Sequence, residues 1–300
     1  MVERVVIFGG TGFLGKRLIK NLKNRYNIVV ASRDPDSIIK EDGVEYSAFK
    51  YDTVSFKNII DGSDIVVNFS GASIAGRRWN EDYKKIMYDS RIKTTSMITD
   101  AISICSDKPH TLVSTSATGI YGSRGNETLT ELSSTGIDYL ANMCVDWEKS
   151  ALKAEKDNVR TVCIRVGVVL DKKEGGFERM IQPFKYFVGG RLGKGKQYLP
   201  WIHVDDITRI FEEAINNRKI TGIINGTAPM PITNIEFSSA VAKAMKRPNL
   251  FMVPKFMLKI IVGEFAKFLT GSQRAVPQKL LDNGFDFKYK DIKSALDNLI

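Results

Sequence analysis

A glycine-rich turn after the first apolar segment constrains this chain more than any other feature. Val5–Phe8 is a continuous apolar run, as expected of a parallel strand buried on both faces, and Phe13–Leu22 carries apolar residues at helical spacing. Between them, Gly9, Gly12 and Gly15 follow the spacing G-x-x-G-x-x-G. We expect Gly9 to permit the turn, Gly12 to admit a pyrophosphate and Gly15 to let the helix pack on the strand. The order of strand, glycine turn and helix predicts a dinucleotide site.

Further apolar segments predict the rest of a sheet. Strand-like runs occur at Asn27–Ala31, Ile65–Phe69, Thr111–Ser114 and Thr161–Val169, and helix-like stretches lie between most of them. Strands and helices that alternate at this period predict an α/β fold, a Rossmann-type doubly wound parallel sheet.

The end of the second predicted strand indicates which dinucleotide binds. NAD sites usually place an acidic residue there, which hydrogen-bonds the ribose 2′-hydroxyl. This strand ends in Ser32 and Arg33, and a hydroxyl with a guanidinium suits a 2′-phosphate. Asp34 follows and could compete, and Arg33 could instead be an ordinary surface residue. We expect NADP(H). The residues expected to contact it are Gly9, Thr11, Gly12, Phe13, Leu14, Gly15, Ser32, Arg33, Asp52, Ser70, Gly71, Ala72 and Arg91.

The composition of the chain changes after Leu170, where a polar segment that ends in glycine interrupts the apolar runs. We predict an NADP-binding Rossmann domain over residues 1–170, to which the chain returns at about 201–228. Residues 171–200 and 229–300 are predicted to form a smaller, mainly helical C-terminal lobe that holds the substrate.

The net charge of +10 and the pI near 9.3 are compatible with a nucleic acid or an anionic membrane as partner. Lys and Arg are scattered along the chain, however, and no basic stretch is interleaved with aromatic residues. We therefore expect a solvated basic surface and an anionic cofactor, and no nucleic-acid partner.

Cysteine and histidine usage predicts no metal site. Cys105, Cys144 and Cys163 lie far apart and form no C-x-x-C pair, and the two histidines are His110 and His203.

Charged residues interrupt the longest apolar stretch, residues 251–269, so we expect no membrane span. We recognise no secretion signal and expect a reducing, cytoplasmic location.

The chain resembles extended short-chain dehydrogenases/reductases, and more narrowly an atypical, NAD-dependent epimerase-family branch that has a small C-terminal domain of unknown function. The resemblance covers nearly the whole chain, and it implies a fold and a cofactor but no substrate. The segments that carry it are NFSGASIAGRRW (Asn68–Trp79), DSRIKTT (Asp89–Thr95), STSATGIYG (Ser114–Gly122), DYLANMCVDWE (Asp138–Glu148), RVGVVL (Arg165–Leu170), WIHVDD (Trp201–Asp206) and NGTAPMPITNIEF (Asn225–Phe237), with VPKFMLK, GEFAKF and KLLDNGFDF in the tail.

The resemblance implies a catalytic set from which this chain departs. The dehydrogenases use an Asn, a Ser or Thr, and a Tyr-x-x-x-Lys pair, whose Lys lowers the pKa of the Tyr. Ser116 and Tyr139 can take two of these places, but Met143 stands at the Lys position. A free phenol has a pKa of about 10, so the missing cation costs about 4 kcal/mol at pH 7. Arg91, at the Asn position, could supply the charge, or Tyr139 could be a packed helix residue.

Other residues leave two interpretations each. His203 is an acid or base, or a structural histidine. Arg77 and Arg78 contact an anionic substrate or lie in a solvated loop. The apolar stripe from Met257 onwards, with lysines on another face, is expected to pack on the C-terminal lobe, with an anionic membrane surface as the alternative.

These patterns predict an NADP(H)-dependent oxidoreductase or epimerase-like enzyme that acts on a small carbonyl or hydroxyl substrate. Ser116, Tyr139 and Arg91 are the candidate catalytic residues. The alternative is a non-catalytic NADP(H)-binding sensor or regulator, which the loss of the Lys favours. A homo-oligomer is compatible with the sequence.

Overall fold

The computed structural model describes residues 2–300 as alternating strands and helices. The strands are β1 (Arg4–Phe8), β2 (Asn27–Ser32), β3 (Glu45–Ala48), β4 (Ile65–Asn68), β5 (Thr111–Ala117), β6 (Thr128–Leu129), β7 (Arg160–Val166), β8 (Val168–Leu170), β9 (Gly190–Leu192), β10 (Tyr198–Leu199), β11 (Trp201–His203), β12 (Gly222–Gly226), β13 (Ile232–Thr233), β14 (Phe251–Val253) and β15 (Arg274–Ala275). The helices are α1 (Phe13–Leu22), α2 (Thr53–Ile60), α3 (Glu81–Ile104), α4 (Tyr139–Leu152), α5 (Phe177–Lys185), α6 (Val204–Asn216), α7 (Asn234–Met245), α8 (Lys255–Val262), α9 (Phe265–Leu269), α10 (Gln278–Asp282) and α11 (Ile292–Leu299).

The central sheet has seven parallel strands in the order β12-β7-β5-β4-β1-β2-β3. Phe8 at the end of β1 is in register with Ala31 of β2 and with Asn68 of β4, so the carboxyl ends of these strands meet at one edge. The strand order reverses between β1 and β4, which is where open α/β sheets bind their ligands.

Each face of the sheet is covered by helices and has its own apolar core. Leu18 of α1 and Phe211 of α6 pack on one face, and Phe56 of α2 and Ile98 of α3 pack on the other. Continuous apolar strands such as β1 and β4 suit this environment because both of their faces are buried. The predicted doubly wound parallel sheet is confirmed.

The C-terminal lobe contains a third apolar core, formed mainly by α5, α7 and α11. The predicted strand Thr161–Val169 is two strands, because β7 pairs with β5 and β12 in the central sheet whereas β8 pairs with β11. Gly167 lies between them, where a side chain would collide with the carbonyl oxygen of Pro200. The mainly helical lobe is confirmed, and the exact division of the chain between the two lobes stays a prediction. Among residues 2–300, no helix combines the length and the apolar character needed to cross a bilayer.

The apolar stripe predicted from Met257 onwards divides at Gly263, which has φ +65°. Beyond it, α9 packs on the protein: the rings of Phe265 and Trp79 have centroids 5.7 Å apart. Before it, α8 has Leu258 as its one buried residue. The expectation that the stripe packs on the lobe is therefore wrong for α8.

Candidate functional site

The glycine turn lies at the carboxyl end of β1 and contains two kinds of glycine. Gly9 has φ +72°, and a Cβ there would lie 2.8 Å from the carbonyl carbon of Phe69. A Cβ at Gly15 would lie 2.6 Å from the Cα of Gly10. At Gly12 the nearest atom is the Gly9 carbonyl oxygen at 3.3 Å, and φ is an ordinary −79°. Packing therefore requires Gly9 and Gly15, whereas a side chain at Gly12 would extend into the open space before α1.

The amino end of α1 is available to an anion. Gly12 is its N-cap, no side chain caps it, and its first turn contains no acidic residue. The first amides of a helix have no partner within the helix, and the helix dipole makes this end positive. Thr11, Phe13 and Leu14 belong to this turn, which the sequence predicted to hold the pyrophosphate. The geometry fits that group.

The end of β2 presents a basic residue to solvent. Arg33 is exposed, and no salt bridge within the described chain engages it. The Ser32 hydroxyl accepts a hydrogen bond from the Asp34 amide at 3.3 Å. Asp52 caps α2, because its Oδ1 accepts a hydrogen bond from the Ser55 amide at 2.7 Å. This hydrogen bond gives the Asp52 carboxylate a structural role, and its contact with the cofactor stays a prediction.

The loop after β4 is fixed on α3. The Ser70 amide donates to Asn68 Oδ1 at 3.0 Å, and the Ala72 amide donates to Ser90 Oγ at 2.9 Å. Between them, a Cβ at Gly71 would lie 3.1 Å from Arg91 Cζ. The sequence predicted all three loop residues and Arg91 as cofactor contacts, and the fold brings these four together.

Arg91 is a buried cation without a carboxylate partner in the described chain. Its side chain projects from α3, and the residue is 8% exposed. Its Nη1 donates to the Met87 carbonyl at 3.1 Å, and its Cζ lies 5.1 Å from the ring centroid of Trp147. Burial lowers the pKa of Arg91, and the groups that act against this are a thiol and two phenols. An incompletely neutralised buried charge is costly, so this position suits an anion or a developing oxyanion of a ligand.

Tyr139, the first residue of α4, donates its hydroxyl proton to the Lys84 carbonyl at 2.6 Å. Burial raises the pKa of Tyr139, while the charges of Arg91 and Lys84 act in the opposite direction. The phenol is thus protonated at neutral pH. Met143 is buried in an apolar cluster with Met87, so its position offers no room for a hydrated cation.

Ser116, at the carboxyl end of β5, is buried and already hydrogen-bonded. Its Oγ donates to Glu148 Oε1 at 2.6 Å. Glu148 in turn accepts from Arg165 Nε at 2.8 Å and Nη2 at 2.9 Å. Because its proton is committed to Glu148, Ser116 can only accept a hydrogen bond from a ligand hydroxyl in this arrangement.

The Glu148–Arg165 pair extends into a buried network that ties the sheet to the C-terminal lobe. Arg165 Nη1 lies 2.9 Å from the Tyr121 hydroxyl, which lies 2.7 Å from Asn225 Oδ1. Glu131 accepts from the backbone amide of Asn225 at 3.0 Å, and Asn225 Nδ2 donates to the carbonyl of Val276, in the C-terminal segment, at 2.9 Å. From the sequence, Glu148 and Glu131 either line a pocket or brace a helix, and these contacts agree with the bracing role.

His203 is a capping residue. Its Nδ1 accepts from the Asp205 amide at 3.0 Å, so the proton lies on Nε2, 3.1 Å from Asn298 Oδ1. Burial lowers the pKa of His203, although the carboxylates of Asp205 and Asp206 oppose this. Of the two interpretations of His203, the structural one agrees with these contacts.

The free energy of unfolding is expected to fall as the pH is lowered through the titration of His203. Because the pKa of His203 is lower in the folded than in the unfolded chain, its neutral form stabilises the fold above about pH 6.5, and this contribution is lost as the pH falls towards the folded value. His203→Asn keeps a capping side chain but does not titrate. Urea unfolding of both proteins between about pH 5 and 8 measures the effect, and identical pH profiles would contradict it.

Glu3, Asp64 and His110 lie at the opposite edge of the sheet, with ligand atoms within 4.8 Å of one another. His110 Nε2 is 3.2 Å from Glu3 Oε1, and Nδ1 is 2.7 Å from Thr111 Oγ1. Arg160 donates two hydrogen bonds to that hydroxyl, so the Thr111 proton points to Nδ1 and the His110 proton lies on Nε2. The cluster is therefore explained by hydrogen bonds without a metal ion.

The sequence matches two known families in succession. Residues 5–225 match the NAD dependent epimerase/dehydratase family, and residues 253–299 match a domain of unknown function, DUF1731. The epimerase family protein SDR39U1 homolog, chloroplastic, of Arabidopsis thaliana is 38% identical over 97% of this chain and 85% of its own length. The epimerase family protein YfhF of Bacillus subtilis is 35% identical over 99% of this chain and 97% of its own.

Solved structures show the same similarity. Human epimerase family protein SDR39U1 (isoform 2), crystallised with NADPH, has a TM-score of 0.88 at 29% identity and covers 99% of this chain and 98% of its own. UDP-N-acetylglucosamine 4-epimerase from Bacillus cereus has a TM-score of 0.75 at 16% identity, covering 99% of this chain and 95% of its own. The second similarity concerns the fold alone.

Proposed function

We propose that this chain, which belongs to the NAD-dependent epimerase/dehydratase family, binds NADP(H) and uses it to oxidise, reduce or epimerise a small carbonyl or hydroxyl compound. The observation that carries the proposal is the uncapped amino end of α1, which opens from the glycine turn on the same sheet edge as the exposed Arg33. The human relative that contains NADPH supports the choice of cofactor.

Three groups of residues would hold the dinucleotide. The amides of Gly12, Phe13 and Leu14 would bind the pyrophosphate, as helix amino ends bind anions generally. Ser32 and Arg33 would bind the 2′-phosphate, because a guanidinium offers several donors to phosphate oxygens. The loop 70–72 would border the nicotinamide half. When bound, the nicotinamide supplies or accepts a hydride.

The remaining chemistry falls to Arg91 and Tyr139. Arg91 is positioned to polarise a substrate oxygen, since its guanidinium is buried and donates to one backbone carbonyl, that of Met87. Tyr139 is protonated at neutral pH and would have to exchange the Lys84 carbonyl for the substrate oxygen in order to donate its proton. Ser116 would orient a substrate hydroxyl as an acceptor.

A sensor without turnover is the second candidate, and a specific observation favours it. The hydroxyl protons of Tyr139 and Ser116 are both committed to other groups of the protein, and Met143 fills the space of the expected cation. Such a protein would bind NADP(H) in the same way, so cofactor binding and turnover need separate tests.

We expect Arg33→Ala to lower NADPH affinity about 10- to 100-fold and to leave NADH affinity unchanged, because it removes charge-assisted hydrogen bonds of about 1.5–3 kcal/mol. Arg218→Ala is the matched control, since Arg218 is also exposed but follows α6 at the other edge of the sheet. Calorimetric titration with both cofactors measures the difference. A preference for NADPH that survives in Arg33→Ala would refute the assignment of the 2′-phosphate.

A further inference from the structure

Helix α8 carries large apolar side chains on the molecular surface. Phe256, Ile260 and Ile261 are 66%, 67% and 63% exposed, and Met257 is also exposed. At helical spacing these four residues share one face, and Leu258 alone is buried beneath them. Apolar faces of this kind mark a surface that another molecule or a membrane covers.

The apolar surface continues beyond α8 onto neighbouring segments. β14, which ends two residues before α8, pairs with β9, so that Phe251 is in register with Gly190. Residues 186–188 end two residues before β9 begins, and the Phe187 ring centroid lies 4.4 Å from the guanidinium carbon of Arg247. We call this the α8 surface. Its exposed apolar members are Tyr186, Phe187, Val188, Phe251, Met252, Phe256, Met257, Ile260 and Ile261.

The segments that form the α8 surface carry only positive charge. Residues 185–204 contain four Lys or Arg, residues 237–263 contain five, and neither segment contains Asp or Glu. The next acidic residue, Glu264, is paired with Lys84 at 2.8 Å. The two segments therefore place nine basic residues and no acidic one beside the exposed apolar side chains.

We propose that the α8 surface docks on an anionic membrane. Apolar side chains beside lysines are what an interfacial helix presents to lipid: the apolar face enters the acyl boundary and the cations meet the head groups. A second copy of this surface would bring like charges together. Nucleic acid would pair with the cations and stack on the aromatic members, but it would leave the aliphatic side chains of Met257, Ile260 and Ile261 in water, whereas lipid covers them.

Contacts of the segment that follows α8 hold this helix on the protein, which would give the docked protein a defined orientation. The following helix, α9, packs on the loop after β4 through Phe265 and Trp79. Arg78 of the same loop lies against Gly263 at the end of α8. The proposal does not depend on NADP(H) binding or turnover, since it rests on side chains outside the cofactor site.

Flotation of the full-length protein with lipid vesicles tests the proposal. We expect binding to phosphatidylcholine vesicles that contain phosphatidylglycerol, weaker binding to phosphatidylcholine alone, and a loss of binding as salt is raised. Combining Phe256→Ser with Ile260→Ser should lower partitioning about a hundredfold. Combining Lys255→Glu with Lys259→Glu should lower it at least about 25-fold, because each lysine contributes about fivefold.

The matched control combines Ile39→Ser with Leu132→Ser, two side chains that are 98% and 93% exposed but lie outside the α8 surface. It should bind vesicles as the wild type does, and circular dichroism verifies that every variant is folded. Absence of wild-type binding, or equal loss in the control, overturns the proposal. So does size-exclusion chromatography in which the wild type is a dimer that only the α8 variants dissociate, since the occupant would then be a second copy.

Discussion

Gly12→Val is expected to lower NADPH affinity by about three orders of magnitude while the protein stays folded. The valine side chain would fill the space before α1, where the pyrophosphate meets the first amides of the helix. Loss of two charge-assisted hydrogen bonds corresponds to about 4 kcal/mol, or roughly a thousandfold. The fold should tolerate the change, because Gly12 has an ordinary φ and its nearest atom is 3.3 Å from the added Cβ. Isothermal titration and urea unfolding measure the two effects.

Gly15→Ala provides the opposite control within the same motif. Its Cβ would lie 2.6 Å from the Cα of Gly10, so the helix must move away from the turn. We expect the free energy of unfolding to fall by about 1–3 kcal/mol, as in other overpacked cores. A folded Gly12→Val protein that binds NADPH with wild-type affinity would show that the phosphates do not meet this turn.

The parallel sheet and the glycine turn could be predicted because each depends on residues that are close together in the sequence. Buried parallel strands require uninterrupted apolar runs, and β1 and β4 have them; a close approach of backbone requires glycine, and Gly9 and Gly15 satisfy it. β3 was not predicted. It is an edge strand of four residues, of which two are exposed and two are partly buried, so it has no apolar run to reveal it.

The rest of the site depends on contacts between residues distant in sequence. The commitment of Ser116 to Glu148 spans 32 positions, and the bond from Tyr139 to the Lys84 carbonyl spans 55. The exposure of α8 could not be predicted from the sequence for another reason. An apolar stripe predicts that a helix has an apolar face, but it does not indicate what covers that face.

Met143→Lys, the substitution that would restore the Tyr-x-x-x-Lys pair, is not expected to help. Met143 is 3% exposed and packed among apolar side chains, so a lysine there would be buried without a carboxylate. The variant should unfold at a lower denaturant concentration than the wild type. Arg91 is consequently the position at which the source of the positive charge can be tested.

Arg91→Ala is expected to lower turnover by about 10²- to 10⁴-fold if the protein is an enzyme, and to change NADPH affinity much less. Arg91 is the buried cation whose charge lowers the pKa of Tyr139, so its removal allows that pKa to rise further. Residual activity in the variant should therefore persist to a higher pH than in the wild type. Lys93→Ala is the control, because Lys93 lies on the same helix but is exposed.

The measurement is hydride exchange between NADPH and a panel of carbonyl compounds, followed over a pH series for wild type, Arg91→Ala, Tyr139→Phe and Lys93→Ala. A lost cation moves the alkaline limb of the profile, whereas a merely weakened fold lowers activity at every pH without moving that limb. If Tyr139→Phe and Arg91→Ala both retain full turnover, the chemistry lies on other residues. If the wild type binds NADPH tightly and exchanges no hydride with any compound, the sensor is favoured. The hydroxyl groups of Tyr139 and Ser116 would then keep their hydrogen bonds to the Lys84 carbonyl and to Glu148 when the cofactor is bound.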